Sequence, residues 1–322
     1  MKRFRNLRLY RLHDTVEMDT PSLAEALQQH VARPPGNQEA VRKGWCSPSG
    51  KPDSLLLHEV QGQRLLTMQR DVRLLPEAVL KDEVEKRVAN LEQERGGWVG
   101  RIEKMNIKEQ VYEELLPKAF IRTHKIDVWW DTTRGLIAVF AESRARAEEA
   151  LDLLRETLGS LKVTPLATQT PPMRAMTHWM SNPDSRPENL LLGDKAVLKS
   201  YGDDDVVRGQ HVDLDSDDMQ QLIATGRQVS QLALEIDTVM SFVLHDDLSI
   251  RGIQFSYDLL HEALETEDDG DAIVRLDADF AIMAKAVGES IESLLEWLGG
   301  EAKATHRLLK PVTQATNFIP LA

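Results

Sequence analysis

The sequence predicts an α+β fold in which a mixed-sheet domain carries an inserted, projecting helical hairpin and is followed by a second α+β domain. Three observations lead to this prediction. Alternating polar and apolar residues, typical of strands, occur on both sides of a helical stretch at residues 76–119. Four prolines between residues 168 and 187 mark a linker region. Strand and helix patterns then resume as far as residue 300.

These patterns divide the chain into four parts. The strands before and after the helical stretch are expected to join one sheet, which makes the stretch an insertion. The weakly periodic end of the chain is expected to form a tail. The predicted parts are a central sheet domain (1–75 plus 120–167), a helical tip insertion (76–119), a base domain (168–300) and a C-terminal tail (301–322).

Composition restricts the class of protein. The chain has 322 residues, of which 42% are hydrophobic, enough for one large or two ordinary domains with buried cores. No apolar run approaches the roughly 20 residues that span a bilayer, and Met1-Lys2-Arg3 leads into strand residues rather than a signal-peptide core. The single cysteine, Cys46, excludes an intrachain disulfide and a multi-cysteine zinc site. We therefore expect a cytoplasmic globular protein with no membrane contact, metal or cofactor.

The net charge of −13 is unevenly distributed along the chain. Residues 1–200 hold 31 Lys and Arg against 28 Asp and Glu, a net of +3, whereas residues 201–300 hold 5 against 23, a net of −18. An acidic protein ordinarily repels polyanions. Because exposed charges farther apart than a Debye length of about 8 Å are largely screened, a basic surface on the first two thirds remains compatible with this acidity.

The elements of the first domain follow from strand alternation and from helix start and stop signals. A helix opens at Thr20-Pro21 and extends to about Ala32. After the tip, Ser143 starts a helix that Gly159 ends. A further short helix is expected near residues 39–44. The predicted strands are Asn6–Leu12, Leu55–Val60, Arg64–Leu75, Ile121–Asp131, Leu136–Phe140 and Leu161–Leu166.

The tip insertion is predicted as two helices joined by a glycine loop. Pro76 suits a first helical position, and the loop at residues 95–101 ends the helix. The second helix is expected to start at Asn106, because Glu109 follows three residues later as in a capping box. It must end near Leu116, since Pro117 lacks an amide donor. Each helix has one narrow apolar line, too little for an independent core.

The second domain is predicted from the same signals. Gly226 and the pair Gly299-Gly300 end two of its helices. The predicted strands are Val206–Leu214, Arg227–Ile236, Met240–His245 and Leu248–Phe255, and the predicted helices are Arg174–Met180, Ser216–Thr225, Tyr257–Glu265 and Asp271–Leu298.

Two acidic clusters suggest a metal-dependent hydrolase as an alternative function. They are Asp203 to Asp205 and His245 to Asp247, and hard cations prefer such oxygen ligands. However, the second cluster lies where two strands need a short turn, and Asp favours turns because it hydrogen-bonds its own backbone. The turn interpretation is therefore favoured. No dinucleotide fingerprint, P-loop, nucleophile elbow or His-Glu-x-x-His motif occurs.

The hairpin carries both signs of charge, with ten basic and ten acidic residues between Pro76 and Lys125. It could therefore be a phosphate-binding arm or a solvated surface laced with salt bridges. Trp98 and Phe120 stand where helical structure breaks, so each is either a core plug or a partner contact. Composition does not separate these alternatives.

Several stretches resemble the RdgC family of bacterial recombination-associated proteins, in order and spacing, from about residue 4 to residue 301. The matching stretches are Arg5–Leu12, Leu115–Phe120, Ala147–Leu166, Val206–Arg208 with Asp213-Leu214, Phe242–Asp247, Asp277–Phe280 and Leu298–Glu301. The resemblance implies a non-enzymatic protein that binds DNA without sequence preference and limits RecA-mediated recombination. It also implies a ring-forming homodimer that encircles duplex DNA, binds single strands more weakly and associates with the nucleoid.

The resemblance also assigns roles to residues. Phe120 matches the family's tip-to-tip contact, and His211 and Val212 fall where base-to-base contacts are expected, in place of the family's Lys-Gln pair. A direct contact between RecA and the acidic surface is a further alternative to competition for DNA. The expected DNA-binding residues are Arg87, Arg95, Arg101, Lys104, Lys108, Lys118 and Arg122.

Overall fold

The computed structural model describes residues 3–14, 18–51, 54–200, 205–265 and 272–302. Within these ranges it contains a seven-stranded sheet, a five-stranded sheet and eight α-helices. The predicted α+β class is confirmed, but the prediction of a mixed sheet is wrong, because every strand pair in both sheets is antiparallel. Several neighbouring strands are joined by short turns, and a short turn reverses the chain direction.

The first sheet has the strand order β2-β4-β5-β6-β1-β7, and β3 pairs with the first part of β4. Its helices α1 (Thr20–Gln29) and α4 (Arg144–Leu158) pack on one face, over a core that includes Trp45 and Trp130. The Ser143 hydroxyl caps α4 by accepting a hydrogen bond from the amide of Arg146, as the sequence predicts. The strands are β1 (Arg8–Leu12), β2 (Val41–Cys46), β3 (Leu57–Val60), β4 (Gln63–Leu74), β5 (Phe120–Asp131), β6 (Leu136–Phe140) and β7 (Val163–Pro165).

The helix predicted near residues 39–44 is wrong, because this segment is strand β2. Residues 41–46 pair with residues 67–72 of β4 in one continuous antiparallel ladder. The Trp45 ring is fully buried between the sheet and α4, where its indole N–H donates to the Thr157 hydroxyl at 2.8 Å. Tertiary pairing and burial of a large ring therefore override the local pattern.

Between β4 and β5 the chain forms helices α2 (Glu77–Arg95) and α3 (Arg101–Leu115). β4 and β5 pair from Gln63↔Asp131 to Leu74↔Phe120, so the helices leave and return at the same end of this strand pair. They share a small apolar cluster that includes Val88, Ile107 and Val111. The predicted capping box is wrong: α3 starts at Arg101, because Gly100 takes the extended N-cap conformation. Asn106 lies inside the helix.

The second sheet has the order β12-β11-β10-β8-β9. Strand β8 was not predicted, because Gly193 and Asp194 interrupt its apolar pattern. It nevertheless pairs with β10, through a ladder with two register shifts. The strands are β8 (Leu190–Lys199), β9 (Val206–Gln210), β10 (Gln228–Ile236), β11 (Met240–His245) and β12 (Ile250–Phe255), and the helices are α5 (Pro172–Ser181), α6 (Asp217–Ala224), α7 (Tyr257–Glu265) and α8 (Ala272–Trp297).

The N-terminal segment links the two sheets. Leu7 exchanges two backbone hydrogen bonds with Ile250 of β12, at 2.7 and 3.0 Å, and the chain then continues as β1 of the first sheet. One apolar cluster contains side chains from both sheets and from α8, among them Trp129, Phe242 and Phe280. None of the described helices is long and apolar enough to cross a membrane.

Candidate nucleic-acid and self-association surfaces

Two of the arginines predicted to bind DNA form ion pairs within the hairpin. Arg87 donates from Nη1 and Nη2 to the Glu114 carboxylate at 3.0 and 2.6 Å, and from Nε to Glu83 at 3.3 Å. The hydrogen bond to Glu114 raises the pKa of Arg87. Arg95 Nη1 lies 2.5 Å from Glu103 Oε1. These contacts join α2 to α3 and neutralise the two charges, as the salt-bridged interpretation of the hairpin expects.

The other predicted cations are exposed and form no ion pair with any described residue. Arg101, Lys104 and Lys108 lie on the first turns of α3, where residues three or four apart are neighbours. Lys118 lies in the 3₁₀ turn after α3, and Arg122 lies on β5. The structure therefore groups three of the cations on α3 and places Arg122 apart from them, on the sheet.

Trp98 and Phe120 do not fill the core. Trp98 is 81% exposed in the loop between α2 and α3, and Ile102, one helical turn later, is 77% exposed. Phe120 is 86% exposed at the first residue of β5. Of the two alternatives left open by the sequence, the core-plug interpretation is therefore excluded within a single copy.

The segment before Phe120 is held in place by Arg73. Its Nη1 donates to the carbonyl oxygen of Pro117 at 2.9 Å, and its Nη2 donates to that of Pro35 at 3.2 Å. One guanidinium thus ties the end of the helical pair to the loop before β2. Phe120 is exposed on a fixed backbone rather than on a loose loop.

His211 and Val212 follow β9, which is an edge strand of the second sheet. The predicted strand to Leu214 ends earlier, at Gln210, because His211 has a positive φ of 55°. The His211 side chain is 80% exposed, and its Nδ1 lies 2.6 Å from Asp194 Oδ2. Val212 is only partly buried and packs against the large apolar cluster. Of the two residues, His211 is the one displayed at the surface.

The turn interpretation of residues 245–247 agrees with the structure, in which His245 ends β11 and Asp246 and Asp247 lie in the turn to β12. Asp247 accepts hydrogen bonds from the Ser249 amide at 3.0 Å and from Arg8 Nη1 at 2.9 Å. Burial opposes ionisation of Asp247, but hydrogen bonds from Ser249 and Arg8 outweigh it and lower its pKa to about 2. Asp246 pairs with Lys199 at 3.2 Å.

Asp203 and Asp204 lie outside the described residues, and Asp205 pairs with Arg227 at 2.5 Å. In the part of the chain that the structure describes, no group of three or more His, Cys, Asp or Glu side chains could hold a metal ion.

Sequence reasoning missed three side chains that lie on, or pack against, the face of the first sheet that carries Arg122. His124 lies two residues further along β5, and strand alternation could have identified it. Lys43 of β2 joins them only through the strand register, and Arg146 only because α4 packs on this face. No local pattern would have connected these last two residues with β5.

The fold and these surfaces define an α+β protein of two antiparallel sheets that exposes cationic and apolar side chains at its surface. The chain belongs to the RdgC family, because the family model described as "Putative exonuclease, RdgC" matches residues 3–301. The Recombination-associated protein RdgC of Tolumonas auensis is 37% identical over 301 residues, which cover 92% of this chain and 98% of the relative. The proteins of that name from Yersinia enterocolitica and Yersinia pestis are each 36% identical, covering 93% of this chain and 99% of the relative.

Proposed function

We propose that this protein binds DNA without sequence preference, closes as a homodimeric ring around duplex DNA and limits RecA-mediated recombination. Family membership and the names of the relatives support a role in recombination. The observation that carries the DNA-binding proposal is the set of exposed cations without ion pairs on α3 and β5, within the part of the chain whose net charge is positive. Such side chains attract phosphates, whereas Arg87 and Arg95 are already neutralised.

Binding through phosphates has two measurable consequences. Phosphate contacts carry no sequence information, so unrelated duplexes of equal length should bind equally. Affinity should fall steeply with salt, by about 0.9 log unit per log unit of salt for each phosphate neutralised on duplex DNA and by about 0.7 on a single strand. The lower charge density of a single strand agrees with weaker binding to it.

The dimer requires two contacts in each copy. In the proposed domain division, residues 76–119 form the tip, residues 1–75 with 120–167 the centre, and residues 168–300 the base. Phe120 supports a tip contact, because a large exposed ring on a fixed backbone is typical of an interface anchor. The free edge of β9, with His211 beside it, supports a base contact, because an edge strand can pair with its counterpart across a two-fold axis. Two contacts of this kind would close a ring.

We infer that the protein acts by occupying DNA rather than by catalysis. The names of the relatives give no enzymatic activity, although the family description includes the word exonuclease. The metal-dependent hydrolase is the second candidate. Its support is weak at residues 245–247, where Arg8, Lys199 and Ser249 already engage the carboxylates. A duplex occupied by the protein would be obstructed for strand exchange by RecA. Binding to DNA would also place the protein on the nucleoid.

Electrophoretic mobility shifts with unrelated duplexes, over a series of salt concentrations, test this function. We expect equal affinities and a negative slope of log affinity against log salt. A strong sequence preference, or affinity independent of salt, would refute it. The same duplexes incubated with Mg²⁺ or Mn²⁺ should be recovered intact, and shortened products would favour the hydrolase. If the protein captures RecA in the absence of DNA, direct contact with RecA replaces competition for DNA as the explanation of how recombination is limited.

A further inference from the structure

A row of cationic side chains crosses one face of the first sheet. In the register of the sheet, Lys43 lies opposite Arg70, Arg70 lies opposite His124, and Val72 lies opposite Arg122. Residues directly opposite one another, or two apart on one strand, share a face. Lys43, Arg70, Arg122 and His124 are therefore on the same face, which is the face that α4 partly covers. Arg146 of α4 joins this face, because Glu149 pairs with both Arg146 and Arg70. We call Lys43, Arg70, Arg122, His124 and Arg146 the β5 patch.

The positive charge of the β5 patch is only partly neutralised. Glu149 of α4 is the carboxylate that pairs there, with Arg70 Nε at 2.8 Å and with Arg146 Nη1 at 3.1 Å. Arg122 and Lys43 form no ion pair with any described residue. Counting Arg70, Arg122, Arg146 and Lys43 against Glu149 leaves a net charge of about +3 before His124 is counted.

The surroundings do not cancel this excess. A groove of about 370 Å³ continues past Lys43 and is lined by Arg33 and Arg42 but also by Glu39 and Glu156, so it adds no net charge. The protonation of His124 responds to the positive charges around it. Burial, followed by the charges of Arg122, Arg146 and Arg70, lowers its pKa. Arg122, Arg146 and Arg70 are therefore close enough to His124 to act on its charge, and the strand register also places Arg122 and Arg70 beside it.

We propose that the β5 patch is a contact surface for the phosphate backbone of duplex DNA; this rests on the proposed DNA-binding function and locates it on the sheet. Arg122 and His124 are about 7 Å apart along β5, and β2 lies about 10 Å from β5 across β4. Duplex DNA carries one charge per roughly 1.7 Å of helix axis, so an area of this size faces several phosphates. Phe120 lies on the same face, two residues before Arg122, so a dimer formed through Phe120 would bring two patches near each other.

The deciding experiment compares three proteins: the full-length wild type, an Arg122→Gln/His124→Gln/Arg146→Gln triple variant, and an Arg155→Gln/Lys162→Gln control. Arg155 and Lys162 are exposed cations paired with Asp152 and Asp14, away from the patch, so the control removes two formal charges as the triple variant does. Affinity for a fixed duplex is measured by fluorescence anisotropy over a salt series. Circular dichroism confirms that each variant is folded.

We expect the triple variant to bind every duplex at least tenfold more weakly, with a salt slope about 2 units shallower, and the control to bind as the wild type does. If the triple variant does not fold, Arg122→Glu replaces it, because this exposed side chain has no partner among the described residues. If the wild type binds DNA and the triple variant binds it with the same affinity and the same salt slope, the proposed role of the β5 patch is refuted but the DNA-binding function is not. A wild type that does not bind DNA would overturn the proposed function itself.

Discussion

The sharpest prediction concerns Phe120→Ala and self-association. A phenylalanine side chain buries about 150–250 Å² when it is enclosed. Because 86% of Phe120 is exposed in one copy, roughly 170 Å² remains to be covered by a partner. At about 25 cal/mol per Å², complete burial would contribute about 4 kcal/mol per subunit. Loss of side-chain freedom and incomplete coverage reduce this to about 2 kcal/mol, typical of an interface anchor.

Sedimentation velocity over a concentration series measures this effect. A loss of about 2 kcal/mol in each of the two subunits, about 4 kcal/mol for the dimer, raises the dimer dissociation constant by roughly 900-fold. The free energy of unfolding of the monomer should change by less than about 0.5 kcal/mol, since the exposed ring supports nothing in its own chain. Leu55→Ala is the matched control, because Leu55 is also highly exposed but lies away from the tip. A Phe120→Ala protein with the dissociation constant of the wild type would refute the tip contact.

Three further predictions concern the fold. Arg3→Met removes the cationic partner of the buried Asp127 carboxylate, whose Oδ2 accepts from Arg3 Nε at 2.6 Å, and leaves only the hydroxyl of Thr67 donating to it among the described residues. It should lower the free energy of unfolding in urea by about 3 kcal/mol, and a loss below 1 kcal/mol would contradict it. The pKa of Asp247 falls from 3.8 to about 2 on folding, so its stabilising effect is complete above pH 4 and is lost as the pH falls towards 2. Because the Asp247 side chain is half exposed, its contribution to the free energy of unfolding is discounted to about 1 kcal/mol. The free energy of unfolding of Asp247→Asn, measured between about pH 4 and pH 2, should not show this loss. Gly193→Ala would place its Cβ 2.8 Å from Ala233 Cβ and should lower the melting temperature at a cost of about 1–3 kcal/mol, whereas Gly97→Ala, with open space around it, should not.

Some of the candidate surfaces could be predicted from the sequence. The break signals around Trp98 and Phe120 identified both rings as a core plug or a partner contact, and the structure excludes the plug within one copy. The turn at His245 to Ser249 was predicted from the preference of Asp for turns. These features depend on a few neighbouring residues, so local patterns carry the information.

The cations illustrate what the sequence left undecided. Arg87 and Arg122 look alike in a list of basic residues, but Arg87 meets Glu114, 27 residues later, and Arg122 meets no carboxylate in the described ranges. Lys43 and Arg146 reach the β5 patch from β2 and α4. Whether a charge is neutralised or available depends on contacts between distant segments, which periodicity does not record.

The sequence by itself determined the α+β class, the helices with clear caps, most of the strands and the family, because these depend on local periodicity and on ordered motifs. Tertiary structure alone decided three points. Segment 41–46 became a strand because β4 pairs with it and Trp45 is buried, and β8 formed despite Gly193 because β10 offers a ladder. The third point is which cations stay unpaired. In each case the deciding free energy comes from contacts between residues far apart in the chain, such as hydrogen-bonded pairing, burial and charge compensation.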